Sequence, residues 1–229
     1  MYSRKRVYLS YSPSVAKRQF LGPAKAGSNS NAAKLQRLQR VVSALKPETK
    51  VFTSLVTFSA VPVATGSISY LSGVATGSTN ITRIGKKIRL SKIRLQLRTG
   101  TPMNTAWDDQ MSFYLVKDKR SNGVVPTNAG ANDSIFSSAN PLTAVVNPTN
   151  MDRFSIIWAA NTSGLKQSQG IEGFNNFNMI RANDVVTYQD DTAAQAGADM
   201  NAYYFVILSS DAGVGAEYYL TCSFEFTDV

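Results

Sequence analysis

The sequence predicts an all-β domain of the sandwich or jelly-roll class, carried behind a strongly basic N-terminal arm. Three observations lead there. Charge is segregated to one end of the chain, short runs of β texture recur from residue 51 onward, and only residues 32–46 carry a convincing helical pattern.

The charge comes first. The chain has 24 Lys and Arg against 15 Asp and Glu, a formal +9, with no histidine. Residues 1–50 hold eleven cations, Arg4, Lys5, Arg6, Lys17, Arg18, Lys25, Lys34, Arg37, Arg40, Lys46 and Lys50, against the single anion Glu48, a net of +10. The remaining thirteen cations and fourteen anions leave residues 51–229 at −1. Such asymmetry marks an arm for a polyanion, nucleic acid or an anionic membrane surface. The arm's eleven cations are candidate phosphate contacts.

The arm divides in two. Residues 1–31 intersperse cations with Ser, Pro, Gly, Asn and Ala and offer few groups for a core, which predicts a flexible segment. Over 32–46, Leu35, Leu38, Val42 and Leu45 recur at helical spacing, with Gln36, Arg37 and Arg40 opposite, Asn31 as N-cap and Pro47 as stop. This predicts a short amphipathic helix with a basic back, turned toward phosphates.

Residues 51–229 supply about 180 residues, enough for one buried core. Residues 51–60 are rich in Val, Phe and Thr. Ile88 and Leu90, then Ile93, Leu95 and Leu97, alternate with polar residues, and the alternation slips at Ser91-Lys92, which predicts a β-bulge. Further strands are predicted at 111–116, 154–158, 177–180, 185–188, 203–208 and 218–226, with a tight turn at Ser121-Asn122-Gly123 and long loops at 121–150 and 159–176.

Residues 83–98 form a second basic feature, in which Arg83, Lys86, Lys87, Arg89, Lys92, Arg94 and Arg98 meet no acid. On the alternating strand Lys92, Arg94 and Arg98 share a face with Gln96, away from the core. A solvent face ordinarily mixes signs, so Arg89, Lys92, Arg94 and Arg98 join the candidate phosphate contacts. Tyr203-Tyr204-Phe205 and Tyr218-Tyr219 lie in apolar strands, where core packing or contacts between copies outweigh base stacking.

Enzymatic chemistry finds little support. Without histidine there is no Ser-His-Asp or Cys-His constellation and no imidazole ligand for zinc. Cys222 is the only cysteine, so no disulfide closes within the chain, and its strand neighbours predict a structural thiol. No segment matches the phosphate-binding loop G-x-x-x-x-G-K-[ST]. Asp108-Asp109 and Asp190-Asp191 fall in loops as solvated turn residues, suited at most to a hard divalent cation between copies. No cofactor, metal or catalytic residue is assigned. With no apolar run of about 18–20 residues and no secretory h-region, a soluble protein without a membrane partner is expected. Arg4-Lys5-Arg6 and Lys17-Arg18 are candidate nuclear-import signals.

Gly85-Lys86-Lys87-Ile88-Arg89-Leu90-Ser91-Lys92-Ile93 resembles the Gly-x-x-Ile/Val-x-Leu-x-x-Ile opening of a viral coat-protein strand. Phe113-Tyr114-Leu115-Val116-Lys117-Asp118-Lys119-Arg120-Ser121-Asn122-Gly123, with Pro126-Thr127, is similar to a run in capsid proteins of circular Rep-encoding single-stranded DNA viruses. Asn150-Met151-Asp152-Arg153-Phe154-Ser155-Ile156-Ile157 matches the Arg-Phe strand that follows it. The same order recurs in satellite tobacco necrosis virus coats and, more loosely, in geminivirus coats. Val116-Lys117-Asp118 replaces the commoner hydrophobic-Tyr-Asp.

The resemblance covers residues 83–158 well, the arm in character and the C-terminal third as β texture. It implies a single eight-stranded antiparallel jelly roll (residues 51–229) behind the arm (1–50), with copies closing an icosahedral shell of about sixty subunits. It implies packaging of a single-stranded genome, DNA favoured over RNA, in a virion; the import candidates add a host import receptor as partner and, if the genome is DNA, assembly in the host nucleus. The competing expectations are a sequence-tolerant single-strand-binding protein that forms no shell and, more remotely, a carboxylate-metal enzyme.

Overall fold

The computed structural model describes residues 31–44, 47–59, 61, 65–99, 111–130, 132–162, 175–210 and 218–229. Two units are distinct, Met1–Lys46 and Pro47–Val229. The expected flexible segment 1–31 therefore lies outside the described residues apart from Asn31, as do Leu45, Lys46, Asp108 and Asp109.

In the first unit α1 spans Asn31–Ala44. The expected helix is there, with Asn31 already in its first turn.

The second unit is built from twelve strands: β1 Lys50–Phe58, β2 Ser67–Tyr70, β3 Lys87–Thr99, β4 Met111–Asp118, β5 Thr127–Ala129, β6 Ser134–Phe136, β7 Phe154–Thr162, β8 Asn175–Arg181, β9 Val185–Tyr188, β10 Ala198–Met200, β11 Ala202–Ser209 and β12 Tyr218–Asp228. One sheet runs β1-β12-β3-β9-β10, with β8 also on β3, and the other runs β2-β11-β4-β7. β8 and β9 share one position, since β3 pairs with β8 along 92–98 and with β9 along 87–89. Eight antiparallel strand positions and one further short edge strand, β10, result, five in the first sheet and four in the second, with first and last strands adjacent. This is the jelly roll that the sequence leads one to expect.

The strands form where alternation demanded them. β12 buries Tyr218, Leu220, Cys222, Phe224 and Phe226 on one face. β3 buries Ile88, Leu90, Ile93, Leu95 and Leu97. The register slips between Glu225 and Phe226, which pair with Lys92 and Leu90, so Ser91 is the predicted bulge. Before β3, Gly85 takes φ +80°, which favours glycine at the head of the strand motif. Between the sheets Phe113 meets Tyr218 at 5.4 Å and Tyr203 meets Phe224 at 6.0 Å, while Phe113 stacks on Phe205 at 6.4 Å within the second sheet. The Tyr203-Tyr204-Phe205 run and Tyr218 are thus interior groups.

The two sheets differ on their outer faces. β4 and β11 are buried on both sides, because Ile135 and Phe136 pack with Tyr114, Val116, Phe154, Val206 and Leu208 across the second sheet's far face. The segment 121–150 is therefore a cover as well as a loop; it holds β5 and β6, which pair in parallel. Asn150 Nδ2 donates to the carbonyls of Asn132 (2.6 Å) and Ser134 (2.8 Å), and Asn147 Nδ2 to Ser134 Oγ (2.9 Å). The buried Asp118 carboxylate accepts from Arg153 Nε at 3.0 Å and Nη2 at 2.9 Å, and from the Arg120 amide at 3.1 Å. Lys117, the departure from the family pattern, bonds Asp184 at 3.1 Å, and Tyr203 donates to the same carboxylate. Cys222 is buried and its thiol pKa is raised by desolvation.

Burial of phenols sets an alkaline limit. Desolvation pushes Tyr70 up to about 12 and raises Tyr188 and Tyr203 as well, the last also through its bond to Asp184. The unfolded chain releases these protons near pH ~10, whereas the folded chain retains them. Their contribution is complete below pH ~10 and is lost as pH rises toward the folded values. Thermal melts followed by near-ultraviolet circular dichroism are expected to fall steeply above pH ~10; a flat profile to pH ~12 would contradict this.

Candidate nucleic-acid interface

The first sheet's outer face is where the cations of β3 emerge. The bulge at Ser91 keeps alternation in step on both sides of it: Lys87 and Arg89 point outward before it, and Lys92, Arg94, Gln96 and Arg98 after it. Without the extra residue, one of the two groups would point into the core. Register extends each position into a row across the sheet. Val51, Glu225, Lys92 and Arg181 align, as do Thr53, Ser223, Arg94 and Met179, then Leu55, Thr221, Gln96 and Phe177.

Six cations, Lys87, Arg89, Lys92, Arg94, Arg98 and Arg181, thus occupy one face, with Glu225 among them. Lys92 Nζ lies 3.1 Å from Glu225 Oε1, and Arg94 Nη2 lies 3.4 Å from its Oε2. Lys92 and Arg94 remain 40% and 49% exposed, so these are surface pairs that salt screens and that contribute little to stability. With the Gln96 amide oriented to satisfy its neighbours, its Oε1 accepts from Arg98 Nε at 3.1 Å and Nη2 at 2.7 Å. That contact engages two of the five N–H groups of the guanidinium.

On α1, Lys34, Arg37 and Arg40 are exposed, and so are Leu35, Leu38 and Val41, at 52–63%. Arg4, Lys5, Arg6, Lys17, Arg18, Lys25 and Lys46 lie outside the described residues.

Two cations depart from expectation. Lys50 belongs to β1 and is 4% exposed; its ammonium donates to the Thr82 carbonyl at 3.0 Å and pairs with Asp228 at 2.8 Å. It ties the start of the first strand to the end of the last and is not presented to phosphate. Arg83 is fully buried. Its guanidinium donates to the carbonyls of Val74 (2.8 Å), Gly85, Asp190 and Thr192 (3.5 Å) and stacks 4.1 Å from the centroid of Tyr188. The run of seven cations at 83–98 is therefore not one surface. Sequence reasoning also missed Arg181 and Glu225, which reach this face through strand register, a signal that no local pattern contains.

Asp190 closes a turn, its Oδ1 accepting from the Thr192 amide (3.0 Å) and hydroxyl (2.9 Å). Among the described residues no group of three Asp, Glu, His or Cys could hold a metal ion. The face offers fixed positive charge and hydrogen-bond donors, which suits binding of phosphate.

The model of the geminivirus coat protein/nuclear export factor BR1 family matches residues 4–229. No curated protein matches the chain in sequence. Among solved structures, a 60-mer of the BFDV capsid protein is similar at 7% identity and TM-score 0.35, covering 79% of this chain and 92% of that one. The cowpea mosaic virus top component, naturally occurring empty particles, is similar at 11% identity and TM-score 0.34, covering 78% and 82%. The fold assignment rests on the strand order and not on these likenesses.

Proposed function

The chain belongs to the geminivirus coat protein/nuclear export factor BR1 family, and from that premise we propose that it self-assembles into a small icosahedral shell and packages a single-stranded genome, DNA in preference to RNA. A coat protein is a structural component of the virion. The observation that carries the finer reading is the division of charge, +10 over residues 1–50 against −1 beyond, together with the one-signed column on β3.

The magnitudes support it. About sixty copies would bring on the order of six hundred arm charges to a packaged strand. The exclusion of Lys50 hardly alters this, since residues 1–46 hold ten cations and no acid. Such binding is electrostatic and tolerant of sequence. In this reading the arm and the β3 face line the shell interior, and Arg4-Lys5-Arg6 and Lys17-Arg18 present an import signal to a host receptor before assembly.

Electron microscopy of the purified full-length protein, with and without single-stranded DNA, tests the proposal. Closed particles of uniform diameter are expected. A species that stays monomeric under all conditions, or one that coats DNA in proportion to its length without closing, would overturn it.

A further inference from the structure

Charge neutralisation does not explain what lies beside the cations. β8 places Phe177 and Met179 on the same outer face, 64% and 59% exposed, while Ile180 packs against the core. Phe177 stands opposite Gln96, diagonal to Arg94 and Arg98, and Met179 stands opposite Arg94. Cross-strand neighbours of this kind lie about 5 Å apart and diagonal ones about 7–8 Å. A flat ring and a polarizable thioether thus flank guanidinium groups on a rigid, hydrogen-bonded surface. A solvated face would not need them, and their exposure costs hydration free energy.

We propose that Phe177, with Met179 beside it, stacks on the bases of a single strand whose phosphates lie along the β3 column at Arg94 and Arg98, so that this face selects unpaired over paired strands. The charge of the column argues for a polyanion, and the exposed ring argues that the polyanion carries accessible π faces. Every base has such a face, so stacking is tolerant of sequence. In a duplex the bases stack on each other and offer the ring nothing, leaving only the phosphate contacts. The proposal rests on the reading of this sheet face as a phosphate surface.

The test uses the full-length protein and three probes of equal length: a single strand containing 2-aminopurine, an abasic deoxyribose-phosphate strand and a duplex. Wild-type protein is expected to bind the base-containing strand more tightly than the abasic one and to quench its 2-aminopurine fluorescence. Phe177→Leu should weaken the base-containing strand about tenfold, abolish the quench, and leave the abasic strand and the salt dependence unchanged. Phe177→Tyr should behave as wild type.

Equal affinities of wild type and Phe177→Leu for the base-containing strand would overturn the proposal, as would an equal loss on both single-stranded probes. Loss of particles in Phe177→Leu with unchanged strand affinity would also overturn it, and would assign Phe177 to a contact between copies. Failure of the underlying reading looks different: abasic-strand binding would be unaffected by Arg94→Ala/Arg98→Ala.

Discussion

Arg83→Ala is expected to cost the second unit about 3–5 kcal/mol and to lower its melting temperature by about 10 °C. The reason is the geometry of the guanidinium. It is fully buried and its N–H groups reach four carbonyls, two on the segment leading into β3 (Val74, Gly85) and two between β9 and β10 (Asp190, Thr192). It also lies on the Tyr188 ring, whose hydroxyl in turn donates to the Ser72 carbonyl at 2.7 Å. Truncation leaves acceptors without donors in a site too closed for ready rehydration, each costing about 1–3 kcal/mol, and forfeits a desolvated cation–π contact. Arg83→Lys should rescue little, because an ammonium has three donors on one point and lacks the planar fork. Urea titration of both variants measures this. A shift below about 1 kcal/mol in Arg83→Ala would show that the two segments are held independently of the guanidinium.

Deletion of residues 1–46 is expected to change binding far more than folding. The ten cations removed, if all meet phosphate, account for a slope of log K against log salt of about −7 on a single strand. The truncated chain should keep a slope of about −2 to −3, from the few exposed cations of β3. Its midpoint of unfolding in urea should match that of the full chain, since Pro47–Val229 is a distinct unit with its own core. Fluorescence anisotropy at several salt concentrations gives both slopes. Retention of the full slope would remove the arm as the main binding element; disappearance of any slope would remove the sheet face.

Much of the architecture was legible because it rests on local periodicity. The strands at 111–116, 185–188, 203–208 and 218–226 appear within β4, β9, β11 and β12, and the slip at Ser91-Lys92 is the bulge. Four short strands, β2, β5, β6 and β10, were not foreseen. Three or four residues carry no period to read, and such strands exist through partners that the fold brings to them, β2 on β11, β10 on β9, and β5 and β6 on each other. The segment 121–150 read as loop because its apolar residues, Ile135 and Phe136, find their partners on β4, β7 and β11.

The candidate interface divides along the same line. Composition and spacing by themselves determined the basic arm, the helix at its end, the alternation of β3 and the outward direction of Arg89, Lys92, Arg94 and Arg98, because charge and strand period are properties of neighbouring residues. Only the tertiary structure decided which cations are surface groups. Lys50 is drawn inward by Asp228 and the Thr82 carbonyl, and Arg83 by four backbone carbonyls brought together from two distant segments. It also set Glu225, Arg181 and Phe177 beside the β3 column. Those partners come from residues far apart in the chain, and pairing register, which no local pattern encodes, sets which side chains become neighbours.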